Sequence, residues 1–131
     1  MIDRPEWDAY FLGIARSVAA RSDCERSQVG AVVVNDRRIR STGYNGSPAG
    51  KPGCLTCPRR TSTVAPGTDY NSGPGRCVAL HAEQNAIIYA NREDLQGASL
   101  YVTRAPCPEC SKLIGGTGVT EVIWPEGRIT L

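Results

Sequence analysis

The chain has one histidine and six cysteines, and the placement of three of these seven residues restricts its fold more than any other feature. His81-Ala82-Glu83 and Pro106-Cys107-Pro108-Glu109-Cys110 each stand at a strand-to-helix transition. Cys107 and Cys110 occupy positions i and i+3, so a helical first turn directs both sulfurs at one point. One imidazole added to them makes a three-ligand Cys/Cys/His set, a combination that tetrahedral zinc takes readily. His81 is the single histidine, so no other imidazole can complete the set. The two helix starts must therefore meet in space.

The rest of the chain supplies elements that permit this. Trp7, Tyr10, Phe11, Ile14, Val18 and Ala19 recur at helical spacing, and Asp3, Pro5 and Glu6 are start signals, which predicts a first helix ending near Ser22. Val29 to Val34 is apolar and β-branched, Asn35-Asp36 signals a turn, and Arg38 to Tyr44 alternates, which predicts a hairpin. Residues 78 to 91 return to helical spacing through Ala82, Ala86, Ile87 and Ala90. Ser99 to Thr103 reads as a third strand, Cys107 to Ile114 as a short helix, and Glu121 to Trp124 as a fourth strand. The order α-β-β-α-β-α-β implies a mixed sheet layered with helices, its parallel strands joined by crossovers. Between Gly43 and Gly75 the chain is rich in Gly, Pro, Ser and Thr and lacks periodicity, marking an irregular insertion at about 46–77 that needs a tether.

Length and composition bound the function. The 131 residues suit one domain spanning 1–131. No apolar run approaches the roughly 18 residues of a membrane span. The N-terminal segment has mixed charges where a secretory signal would be basic and then apolar, which points to the cytoplasm. In reducing cytosol, cysteines serve metals or catalysis more than disulfides. A formal charge of +2 does not suggest a nucleic-acid polymer as partner. Its distribution is uneven: no acidic residue falls between Asp36 and Asp69, where Arg37, Arg38, Arg40, Lys51, Arg59 and Arg60 lie. These are candidates for an anion site, or solvated loop charges and counterions to thiolates.

A zinc ion with three protein ligands keeps its fourth position for water, which it makes nucleophilic near neutral pH. Glu83, two residues beyond His81, stands beside the metal without having to bind it, as a proton shuttle must. The helix dipoles favour the thiolates and an incoming anion. Alone, Cys-x-x-Cys is commonly a structural knuckle or a redox pair. The ordered pair His-x-Glu, then Pro-Cys-x-x-Cys, is the signature of the zinc nucleobase deaminases, and it is complete here.

Further segments carry a narrower resemblance. Val29-Gly30-Ala31-Val32, the run Ser41-Thr42-Gly43-Tyr44-Asn45-Gly46-Ser47-Pro48-Ala49-Gly50, His81 to Ile87, and Leu100-Tyr101-Val102-Thr103 are similar to the deoxycytidylate (dCMP) deaminase family. The likeness runs from the first helix to Trp124, and the Gly43 to Gly50 run is its discriminating part. It implies a cytidine-deaminase-like three-layer α/β/α fold with a mixed central sheet. It also implies a hydrolase that converts dCMP and water to dUMP and ammonia, feeding thymidylate synthesis. By the resemblance Asn45 would hydrogen-bond the nucleoside and the Ala82 N–H would hold the pyrimidine carbonyl. Asn85 would steady the site or a subunit contact. The family also implies a homo-oligomer, often a hexamer, with dCTP and dTTP as effectors, and Arg92 resembles a regulatory part. Arg26 joins the arginines of the acid-free interval as a phosphate candidate.

Alternatives are a deaminase of modified dCMP, dCTP or deoxycytidine, and a noncatalytic zinc-binding module. Four cysteines remain: Cys24, Cys54, Cys57 and Cys77. Some family members carry a second zinc at positions matching Cys24 and Cys54, and count and spacing add Cys57 and Cys77, giving a closed structural site that would pin the insertion. Buried thiols, or a Cys54–Cys57 redox pair, are the competing readings. The chain ends at Leu131, soon after the fourth strand, where relatives usually add a helix and often a fifth strand, so the expected fold is C-terminally short.

Overall fold

The computed structural model describes residues 2–24, 26–51, 53, 57–61, 64–65, 69 and 73–131, with residue 60 described in its backbone only. The elements are α1 (Trp7–Ala19), β1 (Gly30–Asn35), β2 (Arg38–Tyr44), α2 (Pro58–Thr61), α3 (Ala82–Ile88), α4 (Arg92–Leu95), β3 (Ser99–Val102), α5 (Pro108–Gly115), β4 (Glu121–Trp124) and β5 (Gly127–Thr130). The strands form one sheet in the order β2-β1-β3-β4-β5. β1 runs antiparallel to both β2 and β3, β3 runs parallel to β4, and β4 runs antiparallel to β5.

Strand side chains alternate between two faces, and the two hydrophobic clusters follow that alternation. Ala31, Val33, Leu100, Val102 and Val122 face α3 and α5, meeting Ala82, Ala86, Cys110 and Ile114. Val32, Val34, Tyr101 and Ile123 face α1, meeting Phe11, Leu12 and Ala15. The sheet is thus the middle of three layers, as expected. Among the described residues, no helix is long and apolar enough to cross a membrane.

The bounds of β2 and β4 agree with the sequence reading. The hairpin turn sits one residue later, with Asp36 and Arg37 both in the left-handed region at φ 53° and 57°. That pair of values matches the right-handed twist of the flanking strands. Three departures matter. The helix expected over 78–91 is shorter, α3 alone, because Leu80 is drawn into an extended bridge with Gly46 and Tyr89 caps its end, and a further short helix, α4, follows with Asn91 as its N-cap. The insertion contains a short helix, α2. The C-terminus is not short of a fifth strand: after Pro125 and Glu126 the chain turns back as β5, its Arg128 reaching Asp8 Oδ2 at 2.9 Å and Glu121 Oε1 at 3.2 Å.

Two glycines set how closely the helices meet the site end of the hairpin. A Cβ on Gly43 would overlap Ala86 N and Ala82 O of α3, and a Cβ on Gly30 would overlap Ala15 O and Ala19 N of α1. Only glycine permits such backbone approach. Side chains then pin α3 in place: the Ser41 hydroxyl donates to the Ala86 carbonyl at 2.6 Å, and Asn85 Nδ2 donates to the Tyr44 carbonyl at 2.8 Å.

Candidate active site

His81 is the N-cap of α3, in extended conformation at φ −70° and ψ 156°. Its backbone N–H donates to Gln84 Oε1 at 2.7 Å, which fixes the cap and hence the direction of the imidazole. Cys107 holds the equivalent place on α5, with Pro108 at the first helical position and its sulfur accepting from the Cys110 N–H at 3.4 Å. The two caps meet beyond the carboxyl end of β3. His81 Nδ1 lies 3.1 Å from Cys110 Sγ and 3.5 Å from Cys107 Sγ. Among the described residues these are the donors that cluster for a metal, all within 4.8 Å of one another.

The donor set fits zinc. Tetrahedral bonds to imidazole nitrogen and thiolate sulfur place the two donors about 3.6 Å apart, close to the separations seen. The site is also unfavourable to thiolates unless a cation accompanies them. Burial, then the charge of Glu83, then the hydrogen bond and charge of Cys107 push the Cys110 thiol well above the ordinary thiol range. Cys110 is fully buried and Glu83 is 4% exposed. A divalent ion seated among the three donors would reverse that penalty and stabilise both thiolates.

Glu83 follows the cap by two residues, on the first turn of α3. Burial raises its carboxyl above the ordinary carboxylate range. The Glu83 N–H, His81, a hydrogen bond to Cys110 and the charge of Arg104 oppose this in turn. A carboxyl in such a setting binds and releases a proton nearer neutral pH than an exposed one does.

His81, Cys107 and Glu83 wall a cavity of about 720 Å³, the volume expected of a small-molecule site. Ala82, Asn45 and Arg26 line it as well, so these three sequence candidates are brought to the site. Asn45 also makes bonds within the protein. Its Oδ1 accepts from the Val29 N–H at 2.8 Å and its Nδ2 donates to the Ser27 carbonyl at 2.7 Å. Ala82, as the first residue of α3, has an N–H without an intrahelical acceptor. Cys24, Cys57 and Cys77 line the same cavity, while Cys54 lies outside the described residues. Arg92 is not brought to the site. It borders a separate hollow of about 380 Å³ with Leu95, Gln96 and Gly118.

The acid-free interval also divides. Arg37 lies over the Trp7 ring at 4.9 Å and Arg40 reaches Asp94 at 3.9 Å, both toward the turn end of the hairpin, away from the cavity. Arg59 lines the cavity and is 3% exposed, donating to the carbonyls of Asp69 and Gly75. The residue that sequence reasoning missed is Arg104. It lines the cavity and donates from Nη1 to Ser27 Oγ at 2.9 Å. The available signal was position: ligands bind outside the carboxyl ends of strands in open α/β sheets, and Arg104 sits there, just before Cys107.

Known proteins match this arrangement. The family model described as the cytidine and deoxycytidylate deaminase zinc-binding region matches residues 5–126. A deoxycytidylate deaminase of Mycobacterium phage D29 is 64% identical over 126 residues, covering 95% of this chain and 98% of that protein. The deoxycytidylate deaminase of Saccharomyces cerevisiae is 39% identical over 130 residues, covering 94% of this chain but 38% of the yeast protein. Among solved structures, a dCMP deaminase of cyanophage S-TIM5 in complex with dCMP and dUMP superposes with a TM-score of 0.67 at 30% identity, covering 92% of this chain and 82% of that one. Cytidine deaminase from Mycobacterium leprae, at 21% identity and a TM-score of 0.55 over 97% of this chain and 94% of its own, shares the fold. With its zinc-fitting donors, its buried carboxyl and a family match over almost its whole length, the chain belongs to the cytidine and deoxycytidylate deaminase family of zinc enzymes.

Proposed function

We propose that the protein hydrolyses dCMP to dUMP and ammonia, supplying dUMP for thymidylate synthesis. The observation that carries this is Glu83, a buried carboxyl that touches the zinc-fitting donors and faces a nucleotide-sized cavity. A structural zinc has no use for such a group, which argues against a noncatalytic module. The phage D29 relative of matching length supports the nucleotide reading.

In this mechanism His81, Cys107 and Cys110 hold zinc. When bound, the metal supplies a water activated for attack near neutral pH. Glu83 takes the two protons of the attacking water in turn, passing the first to the pyrimidine ring nitrogen and the second to the departing amine. The Ala82 N–H holds the pyrimidine carbonyl. Asn45 borders the nucleoside while bracing the adjoining loop, and Arg26 is placed for the phosphate.

The same proposal takes residues 1–131 as one deaminase domain. Its insertion at about 46–77 would be tethered by a second, structural zinc on Cys24, Cys54, Cys57 and Cys77. Cys24, Cys57 and Cys77 border one cavity, although among the described residues only His81, Cys107 and Cys110 lie within metal-binding distance of one another, so this second site rests on the count and spacing of the cysteines. Cytoplasmic residence follows the charge pattern of the sequence, while a homo-oligomer and control by dCTP and dTTP, with Arg92 as a regulatory contact, rest on the family resemblance.

Ammonia release measured across dCMP, dCTP, deoxycytidine, CMP and 5-substituted dCMP tests the substrate assignment, and dCMP should lead. Glu83→Gln should lower kcat by about 10²- to 10⁴-fold while one catalytic zinc per chain is retained. Full turnover by that variant would overturn the mechanism.

A further inference from the structure

Building on the reading of the substrate as a pyrimidine nucleotide, we infer that Arg104, anchored on Ser27 and acting with Arg26, selects the 5′-phosphate over the bare nucleoside. Arg104 stands on the loop between β3 and α5, three residues before Cys107, and is exposed at the mouth of the cavity whose inner end holds Glu83. Among the described residues its hydrogen bond is from Nη1 to Ser27 Oγ at 2.9 Å, which fixes the side chain while using one of five N–H groups. The rest of the planar fork suits two phosphate oxygens. Because Ser27 Oγ accepts from Arg104, its own proton remains to be donated to the same anion.

The loop carrying Ser27 and Arg26 is held ready for this. Asn45 Nδ2 takes the Ser27 carbonyl and Asn45 Oδ1 takes the Val29 N–H. The Asn45 carbonyl is itself held by the Ser22 hydroxyl at 2.7 Å. Every one of these contacts is internal to the protein, so the loop does not have to be ordered by the ligand. Asn45 is thereby a positioning residue for the phosphate end of the site.

Charge points the same way. Arg26, Arg59 and Arg104 line the cavity, against the exposed carboxylate of Glu109 and that of Glu83 at the buried end. Arg59 is turned to the Asp69 and Gly75 carbonyls. Arg26 and Arg104 are therefore the cations left to meet a ligand. A nucleoside is neutral and gains little from them, whereas a phosphate monoester carries nearly two negative charges near pH 7.

The test is kcat/KM for dCMP and for deoxycytidine in the wild type, Arg104→Ala, Arg104→Lys and Arg38→Ala, with zinc content and melting temperature as folding controls. Arg104→Ala should lower kcat/KM for dCMP by about 10- to 100-fold, mostly through KM, and deoxycytidine far less, so the preference for the nucleotide collapses. Arg104→Lys should recover part of it, keeping the charge without the fork. Arg38→Ala, the same loss of charge beside the hairpin turn, should leave the preference unchanged. Equal losses on both substrates, or an unaltered preference, would overturn the inference. If the wild type fails to turn over dCMP, the substrate reading fails separately. Calorimetric binding of dUMP against deoxyuridine then decides the role of Arg104: tenfold weaker dUMP binding by Arg104→Ala supports it, and equal binding refutes it.

Discussion

On one face of the sheet α1 packs Phe11, Leu12 and Ala15 against Val32, Val34, Tyr101 and Ile123; on the other, α3 and α5 set Ala82, Ala86, Cys110 and Ile114 against Ala31, Val33, Leu100, Val102 and Val122. The first face is aromatic. Phe11 is tilted against Tyr101 at 5.2 Å between centroids and stacks on Trp7 at 5.7 Å. The second is aliphatic, and bonds from the Ser41 and Asn85 side chains to the Ala86 and Tyr44 carbonyls add to its glycine contact at Gly43. Large rings bury much area but tolerate small shifts of the helix. Both faces have a close glycine contact, but the hydrogen bonds from Ser41 and Asn85 tie α3 to the hairpin directly. The catalytic groups stand on the face where position is fixed.

Changes on the two faces should therefore separate activity from stability. Gly43→Ala forces a Cβ into Ala82 O and Ala86 N, so α3 must move and carry His81 and Glu83 with it. A displacement of about 1 Å at reacting groups costs on the order of 10² in rate. The expected result is such a loss in kcat/KM together with weakened zinc retention, read by steady-state assay and metal analysis. Near-normal turnover would show that this contact does not set the site.

Phe11→Ala acts on the opposite face, where it removes a side chain 2% exposed. Unfolding in urea should show about 3–5 kcal/mol of destabilisation, while kcat of the folded enzyme stays near that of the wild type. A parallel fall in kcat would break the division between faces.

The same division explains what could be read along the chain. The metal donors were legible because each depends on local geometry: an i, i+3 pair on one helical turn and a histidine at another helix start. The strands β1 to β4 were legible through β-branched, alternating residues that fill two cores. β5 was not, since its residues are largely exposed and its place depends on pairing with β4 and on Arg128 reaching Asp8, 120 positions away. The helix expected over 78–91 overran α3 because apolar spacing continues to Ala90, past the Tyr89 cap, and α4 is too short to show a period of its own. Arg104 escaped because the density of charge along the chain points to the whole acid-free interval, Arg37, Arg38 and Arg40 among it. What decides is the end of the sheet a residue occupies, and the hairpin carries those arginines toward its far end.

Smaller effects sharpen the contrast. Ser41→Ala removes the bond to the Ala86 carbonyl without moving backbone, so it should cost roughly 1 kcal/mol and lower the melting temperature by a few degrees. Its loss of activity should fall well short of that of Gly43→Ala. If the two variants lose activity equally, the hydroxyl, and not the glycine contact, holds α3.

The smallest expected effect lies on the aromatic face and depends on pH. The Tyr101 hydroxyl donates to Asp8 Oδ1 at 2.8 Å, and Asp8 Oδ2 accepts from Arg128. Burial first, then the bond to Asp8 and its charge, raise the Tyr101 phenol above its ordinary value near 10. The folded state thus favours the protonated phenol more than the unfolded state does. That contribution is whole below about pH 10 and fades as pH climbs from there toward the folded value. Tyr101→Phe should cost about 0.5–1.5 kcal/mol at pH 7 through the lost hydrogen bond, and its stability should fall less steeply than the wild type's above pH 10. Urea unfolding at pH 7, 9 and 10.5 measures both. If the two proteins decline in parallel above pH 10, the alkaline sensitivity belongs to another group, and Tyr101 contributes to its face as a ring alone.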